Sequence, residues 1–392
     1  MVVEEIDWRP DHANSISSAT GRLVYAGVRS AQVQPTATSK TQIAALLDLL
    51  DLHLSEVDCG AAVDQARVTL RIPNLVGEAR GALGTLIDAI ADGPGVDVLE
   101  STAIGWTPTT VGWHPADITE YARWPGLLSA ERAVPDLVVE IVKRTAAPEL
   151  RAYPMLSSQA GWSLRVEGLE VGQATADRVV LKVGRDGKTG NQSLQRRAWI
   201  AATGHDSPLT TDSASTAANL IYSFAQQWRS LALTSVDQNE HALESRILRG
   251  ETPVAVSGRS LSLIQSDSVV NWGSQFPTKW GPGGKARYLD ALLRDGMTPW
   301  AIEMKVRGGA GVGQYYRYAV AQAVLYREFI RGASPLHFWF EKQGLRAEDC
   351  QAAVVVPEIP AKQTQWRGRI ARLCNLFNVA FVEVDPAHAR KH

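Results

Sequence analysis

The chain has 392 residues, 45% hydrophobic and 21% charged, with a net charge of −1. This is ordinary globular composition with room for two domains, and no run approaches the ~18 consecutive apolar residues that a membrane span needs. Three widely spaced cysteines (Cys59, Cys350, Cys374) and an acidic N-terminus, MVVEEIDWRP, argue against a disulfide framework and a secretory signal, so a cytoplasmic location is expected.

In chain order, GRLVYAGVRS reads as a strand and TSKTQIAALLDLLDLHL as an amphipathic helix with Ser39 as a possible cap. ARVTLRIP follows as a strand and EARGALGTLIDAIAD as a helix. WSLRVEGLEV, RVVLKVGR and RAWIAATG are further strand candidates, with a loop of turn residues, GRDGKTGNQS, before the last; TAANLIYSFAQQWRSLAL is a long helix. Residues 1–235 therefore read as an α/β or α+β domain whose role the sequence does not declare.

From 236 to 392 the order is more telling. NEHALESRILRG is helical; short strands around PVAVSG, SLSLIQ and SVVNWG follow; YLDALLRDGMTPWAIEMKV then reads as a hairpin about Gly296 and Pro299. A strong helix, GQYYRYAVAQAVLYREFIRG, ends at Gly332; QAAVVVPE is a buried strand, WRGRIARLCNLF a helix and VAFVEVD a strand. Helix, strands, helix, strand, helix, strand suits a mixed central sheet flanked by helices. This half holds 20 basic against 15 acidic residues, a charge of +5, and the remainder −6. The split mildly favours a polyanionic partner.

In WAIEMKV, Trp300, Ile302, Met304 and Val306 share one face and Ala301, Glu303 and Lys305 the other, with Asp290 across the hairpin. An acid and a base side by side on a rigid strand are either a solvated ion pair or a site. Glu244 on the preceding helix, Asp290 and Glu303-Met304-Lys305, with Leu289 where a proline often stands, resemble the PD-(D/E)xK nuclease pattern. The next helix carries Tyr318, Gln322 and Tyr326, which resemble the QxxxY helix of its RecB-type branch. The resemblance covers roughly residues 237–385 and none of the first half.

The resemblance implies a C-terminal restriction-endonuclease-like fold and a deoxyribonuclease dependent on Mg²⁺, with Mn²⁺ as a substitute. It casts Asp290, Glu303, Lys305 and Gln322 as catalytic, and Glu244, Asp290, Glu303 and the Met304 carbonyl as metal ligands. Tyr318 and Tyr326 would be supporting residues. Carboxylates on adjacent strands suit a hard cation bound through oxygen, and a lysine beside it can orient water or stabilise the pentacovalent charge. Gln322 would position Lys305 or a water. Lys285 in GPGGKA is either a backbone-contacting loop residue or part of a plain turn, and Arg317 and Arg327 are phosphate contacts or merely solvated charges.

No HExxH, zinc spacing, Walker A loop or GxSxG offers a competing chemistry. The expected substrate is DNA, with RNA open. The first 235 residues would serve target choice, a protein partner or regulation, as in a bacterial defence or DNA-processing system. The alternative is a non-catalytic nucleic-acid-binding or assembly subunit that keeps the fold.

Overall fold

The structure is a computed structural model that describes residues 4–6, 23–26, 28–33, 35–58, 67–117, 119–129, 132–156, 161–183, 194–232, 240–306, 313–359, 361 and 364–385. Cys59, the loop at 184–193 and most of the glycine-rich turn after Val306 lie outside them. The chain is a mixed α/β protein built on several sheets, with no barrel among the described residues.

The N-terminal unit runs β1 (Glu4–Ile6), β2 (Leu23–Ala26), β3 (Val28–Gln32), α1 (Ser39–Asp58), β4 (Val68–Ile72), α2 (Gly77–Asp88), β5 (Val96–Thr102) and β6 (Gly105–Pro108). Its six strands lie in sequence order, parallel only where α1 and α2 cross over, at β3–β4 and β4–β5. GRLVYAGVRS is thus two hairpin strands rather than one. A short helix, α3 (Trp124–Ser129), leads into the next unit.

That unit comprises α4 (Asp136–Thr145), β7 (Leu150–Pro154), β8 (Trp162–Val166), β9 (Leu169–Ala174), β10 (Val179–Leu181), α5 (Leu194–Thr203), β11 (Leu209–Thr211) and α6 (Ala214–Ala232). An antiparallel sheet in the order β11-β10-β9-β8-β7 is covered by its helices around a core of its own, including Val138, Leu164, Val171, Trp199 and Phe224. RAWIAATG, expected as a strand, is the body of α5. A short apolar run fits either period, and burial of Ala198 and Trp199 against α6 decides for the helix here.

The C-terminal unit begins with α7 (Glu240–Leu248). Short ladders follow: β12 (Ala255–Val256) with β13 (Arg259–Ser260), then β14 (Ser262–Leu263), and β15 (Pro277–Thr278) with β16 (Arg287–Tyr288). The expected hairpin is β17 (Ala291–Asp295) and β18 (Thr298–Met304), turning at Gly296 with φ +59°. Then come α8 (Gly313–Gly332), α9 (His337–Lys342), β19 (Gln351–Pro357), α10 (Thr364–Leu376) and β20 (Ala380–Val384). The sheet order is β14-β17-β18-β19-β20, antiparallel through β18 and parallel after it. Its connectivity from β17 on, hairpin, helix, parallel strand, helix, parallel strand, matches that of the N-terminal unit from β2 to β5, with α9 added.

The sheet is covered on both sides, which is why β19 is a continuous apolar run. Ile302, Met304, Ala353 and Val355 pack toward α7, while Ala301, Val354 and Val356 pack toward α8. α8 is apolar nearly all round, as a fully enclosed helix must be, because its outer face meets α1 and α2. One core thus joins Leu46, Leu50, Leu70 and Leu83 to Val320, Val324, Ile370 and Phe377. Residues up to about 129 thus share a core with the C-terminal unit, while most of residues 134–232, with Val269 and Val270, pack around a second core.

Candidate active site

Register builds the site. With Ala291 opposite Ile302, Asp290 comes opposite Glu303 at the mouth of the hairpin, and its carboxylate accepts the Met304 N–H at 2.8 Å. That bond fixes the acid where β17 begins. Glu303 lies on the α8-facing side of β18, fully buried. Across from the hairpin, α7 is held by the middle unit: Glu167 in the β8–β9 turn pairs with Arg246 and Arg249, and Gly168 (φ +74°) packs so closely on His241 that a Cβ would collide with its carbonyl oxygen. The first residue of α7, Glu240, reaches the hairpin.

Oxygens of Glu240, Asp290 and Glu303 all lie within 4.8 Å of one another. Lys305 Nζ sits among them, 2.6 Å from Glu240 Oε1, 2.5 Å from Glu303 Oε1 and 2.8 Å from the Met304 carbonyl oxygen. An ammonium touching three such oxygens occupies a place suited to a cation. Three carboxylates share one ammonium, so the cluster carries excess negative charge. Burial, opposed by Lys305 and reinforced by Glu240 and Glu244, pushes Asp290 up to about 7. Burial and then the Asp290 charge hold Glu303 well above the usual carboxylate range. Glu303 Oε2 is buried without a hydrogen-bond partner.

The donors are all oxygens, which fits a hard divalent ion such as Mg²⁺ or Mn²⁺. The orphaned Glu303 oxygen and the unbalanced charge fit it as well. Glu240, Asp290, Glu303 and the Met304 carbonyl are the residues that would hold it.

Several expectations need correcting. Glu244, expected as the helix ligand, is one turn too far along. Its carboxylate accepts the Ser274 hydroxyl at 2.7 Å and faces Arg165 and His241, so Glu240 takes its place in the cluster. Both acids were visible four residues apart on one helical face, and only the approach angle of α7 separates them. Gln322 is half-buried and hydrogen-bonds Tyr326 rather than Lys305. The Tyr326 hydroxyl in turn donates to the Tyr288 carbonyl at 3.1 Å, so this helix supports the strand leading to Asp290. Tyr318 is buried, 2% exposed, on the same helix.

Arg317 and Arg327 are neither phosphate contacts nor solvated charges. Arg317 is 4% exposed and pairs with Asp48 at 2.8 Å and Asp51 at 3.0 Å on α1, joining the two mixed-sheet units. Arg327 is 3% exposed and donates to the Phe377 and Asn378 carbonyls, closing the end of α10. Sequence alone did not show which elements, α1 and α10, enclose these two arginines. Lys285 is exposed, in a loop seated on α2 where Gly81 and Gly281 meet too closely for any Cβ.

No family model matches this chain, and neither a curated protein nor a solved structure matches it. No helix among the described residues is long and apolar enough to cross a membrane.

Proposed function

We propose that the chain is a metal-dependent nuclease with a restriction-endonuclease-like C-terminal unit, hydrolysing phosphodiester bonds in DNA. The carrying observation is the convergence of Glu240, Asp290, Glu303, the Met304 carbonyl and Lys305 at one end of a mixed sheet. The order of that sheet, hairpin then two steps of helix and parallel strand, supports the fold reading. The DNA substrate and the fold family follow from the PD-(D/E)xK resemblance, while the metal site rests on these residues and their chemistry.

In this reading the carboxylates and the Met304 carbonyl bind the ion, and Asp290 stays fixed by the Met304 N–H. A bound ion polarises the phosphodiester and lowers the pKa of a water. Lys305 contributes a preorganised cation to the charge that develops on the phosphorus oxygens. Tyr326, with Gln322, keeps the strand before Asp290 in place.

The test is cleavage of single-stranded, double-stranded and supercoiled DNA, with single-stranded RNA alongside, in Mg²⁺ or Mn²⁺. Cleavage that EDTA stops and Asp290→Asn abolishes is expected. Nucleic-acid binding that persists with no cleavage of any substrate by the parent would favour the binding-subunit alternative.

A further inference from the structure

The N-terminal unit reaches this site. α1 starts at Ser39, and Lys40 in its first turn carries its ammonium 5.0 Å from the centre of the Tyr318 ring. Lys40 is half-buried, and among the described residues it makes no hydrogen bond or ion pair. Burial first, then the Lys305 and Arg287 charges, lower its pKa, against the pull of Glu240 and Glu303. Tyr318 is 2% exposed and its hydroxyl has no hydrogen-bond partner. Burial, with the Glu303 and Glu78 charges, raises its pKa against Arg287 and Lys305; its helix, α8, packs on β18, whose α8-facing side carries Glu303.

The other cation nearby is committed. Arg287 makes a bidentate pair with Glu78, which also accepts the Ser39 hydroxyl at 2.7 Å. Lys40 is not. Glu240, Asp290 and Glu303 against Lys305 and Lys40 leave one negative charge when all are ionised. A divalent ion turns it to one positive charge, which a single phosphodiester anion balances. A helix N-terminus adds a favourable field for that anion.

We propose that Lys40 and the Tyr318 hydroxyl form a phosphate subsite, holding a non-bridging oxygen of a polynucleotide phosphate beside the acid cluster. The N-terminal unit thereby supplies the anion-holding half of the site, and the hairpin unit the cation-holding half. This rests on the nuclease reading for the identity of the polymer. The two halves meet because α1 packs along α8.

The experiment uses the full chain in a Lys305→Met background, which keeps every metal ligand and slows cleavage, with Mn²⁺ and a fluorescent single-stranded oligonucleotide across a salt series. Lys40→Gln in that background is expected to weaken binding about tenfold or more, as loss of a charge-assisted contact does. It should also reduce the log–log salt slope by about 0.7, the value for one single-strand phosphate contact. Lys40→Arg should restore most of the affinity, and Tyr318→Phe should weaken binding by less than Lys40→Gln. In the Lys305-intact chain, Lys40→Gln should still bind Mn²⁺, and its cleavage defect should appear chiefly in KM. A Lys40→Gln protein that binds Mn²⁺ normally and the oligonucleotide like its background overturns the proposal. So does a background protein that binds no oligonucleotide at any salt. Binding that depends on Lys40 in a parent that never cleaves supports the phosphate subsite while removing the hydrolytic reading.

Discussion

Replacing Lys305 by Met isolates the electrostatics of the site, because the substitution keeps most of the buried stem and removes the charge. Lys305 is 4% exposed and its ammonium contacts Glu240, Glu303 and the Met304 carbonyl at 2.5–2.8 Å. Without it, three carboxylates face one another with no cation. Removing one partner of a buried pair costs about 3–5 kcal/mol, most of it the penalty on the charge left behind. The loss should be full at pH 8. It should shrink toward pH 6, because Asp290, already pushed up to about 7, then takes a proton. Saturating Mg²⁺ should stabilise the Lys305→Met protein, since the ion takes the same oxygens; at 100 times its Kd an ion adds about 2.7 kcal/mol. Urea unfolding followed by tryptophan fluorescence, with and without Mg²⁺ at both pH values, measures these effects. A Lys305→Met protein as stable as the parent in EDTA at pH 8, or one whose stability Mg²⁺ leaves unchanged, would refute the reasoning. In the cleavage assay the same substitution should cost roughly 100- to 1,000-fold in rate.

The remaining expectations concern other parts of the molecule. Arg317→Leu should destabilise the chain by about 3–5 kcal/mol, by stranding Asp48 and Asp51, and leave the salt slope of DNA binding unchanged; a change in slope would return Arg317 to the DNA surface. Lys285→Ala should reduce the slope for duplex DNA by about 0.9 with no change in stability, and an unchanged slope would remove Lys285 from the DNA contacts. Metal-free stability should fall as pH rises. The folded pKa of Asp290, about 7, exceeds its unfolded value near 3.9, so its contribution is complete below about pH 4 and is lost through pH 7. For the same reason the stabilisation by Mg²⁺ should grow from pH 6 to pH 8, because binding expels protons; a constant Mg²⁺ effect on urea unfolding across that range would contradict it.

Much of the C-terminal architecture was legible because its signals are local. The alternation in β18 assigns its two faces, Gly296 marks the turn, and the long apolar helix and the two buried strands follow in readable order. Asp290 and Glu303 could be paired across the hairpin because antiparallel register follows from turn position. What failed was tertiary. The choice of Glu240 over Glu244 depends on how the middle unit seats α7, and the burial of Arg317 and Arg327 depends on α1 and α10. Lys40 lies some 250 residues from the hairpin in sequence, and only the packing of α1 along α8 brings it there. The core that the first 129 or so residues share with the C-terminal unit was not legible for a related reason: shared cores are set by contacts that leave no local trace.

The account turns on the acid cluster being a divalent-metal centre, and calorimetric titration of the full chain with Mn²⁺ at pH 8 tests that most directly. The parent is expected to bind at this centre. Asp290→Asn and Glu303→Gln should abolish that binding, Glu240→Gln should weaken it strongly, and Glu244→Gln should leave it close to the parent's. A parent that binds no Mn²⁺, or a Glu303→Gln protein that binds it as well as the parent, would contradict the account.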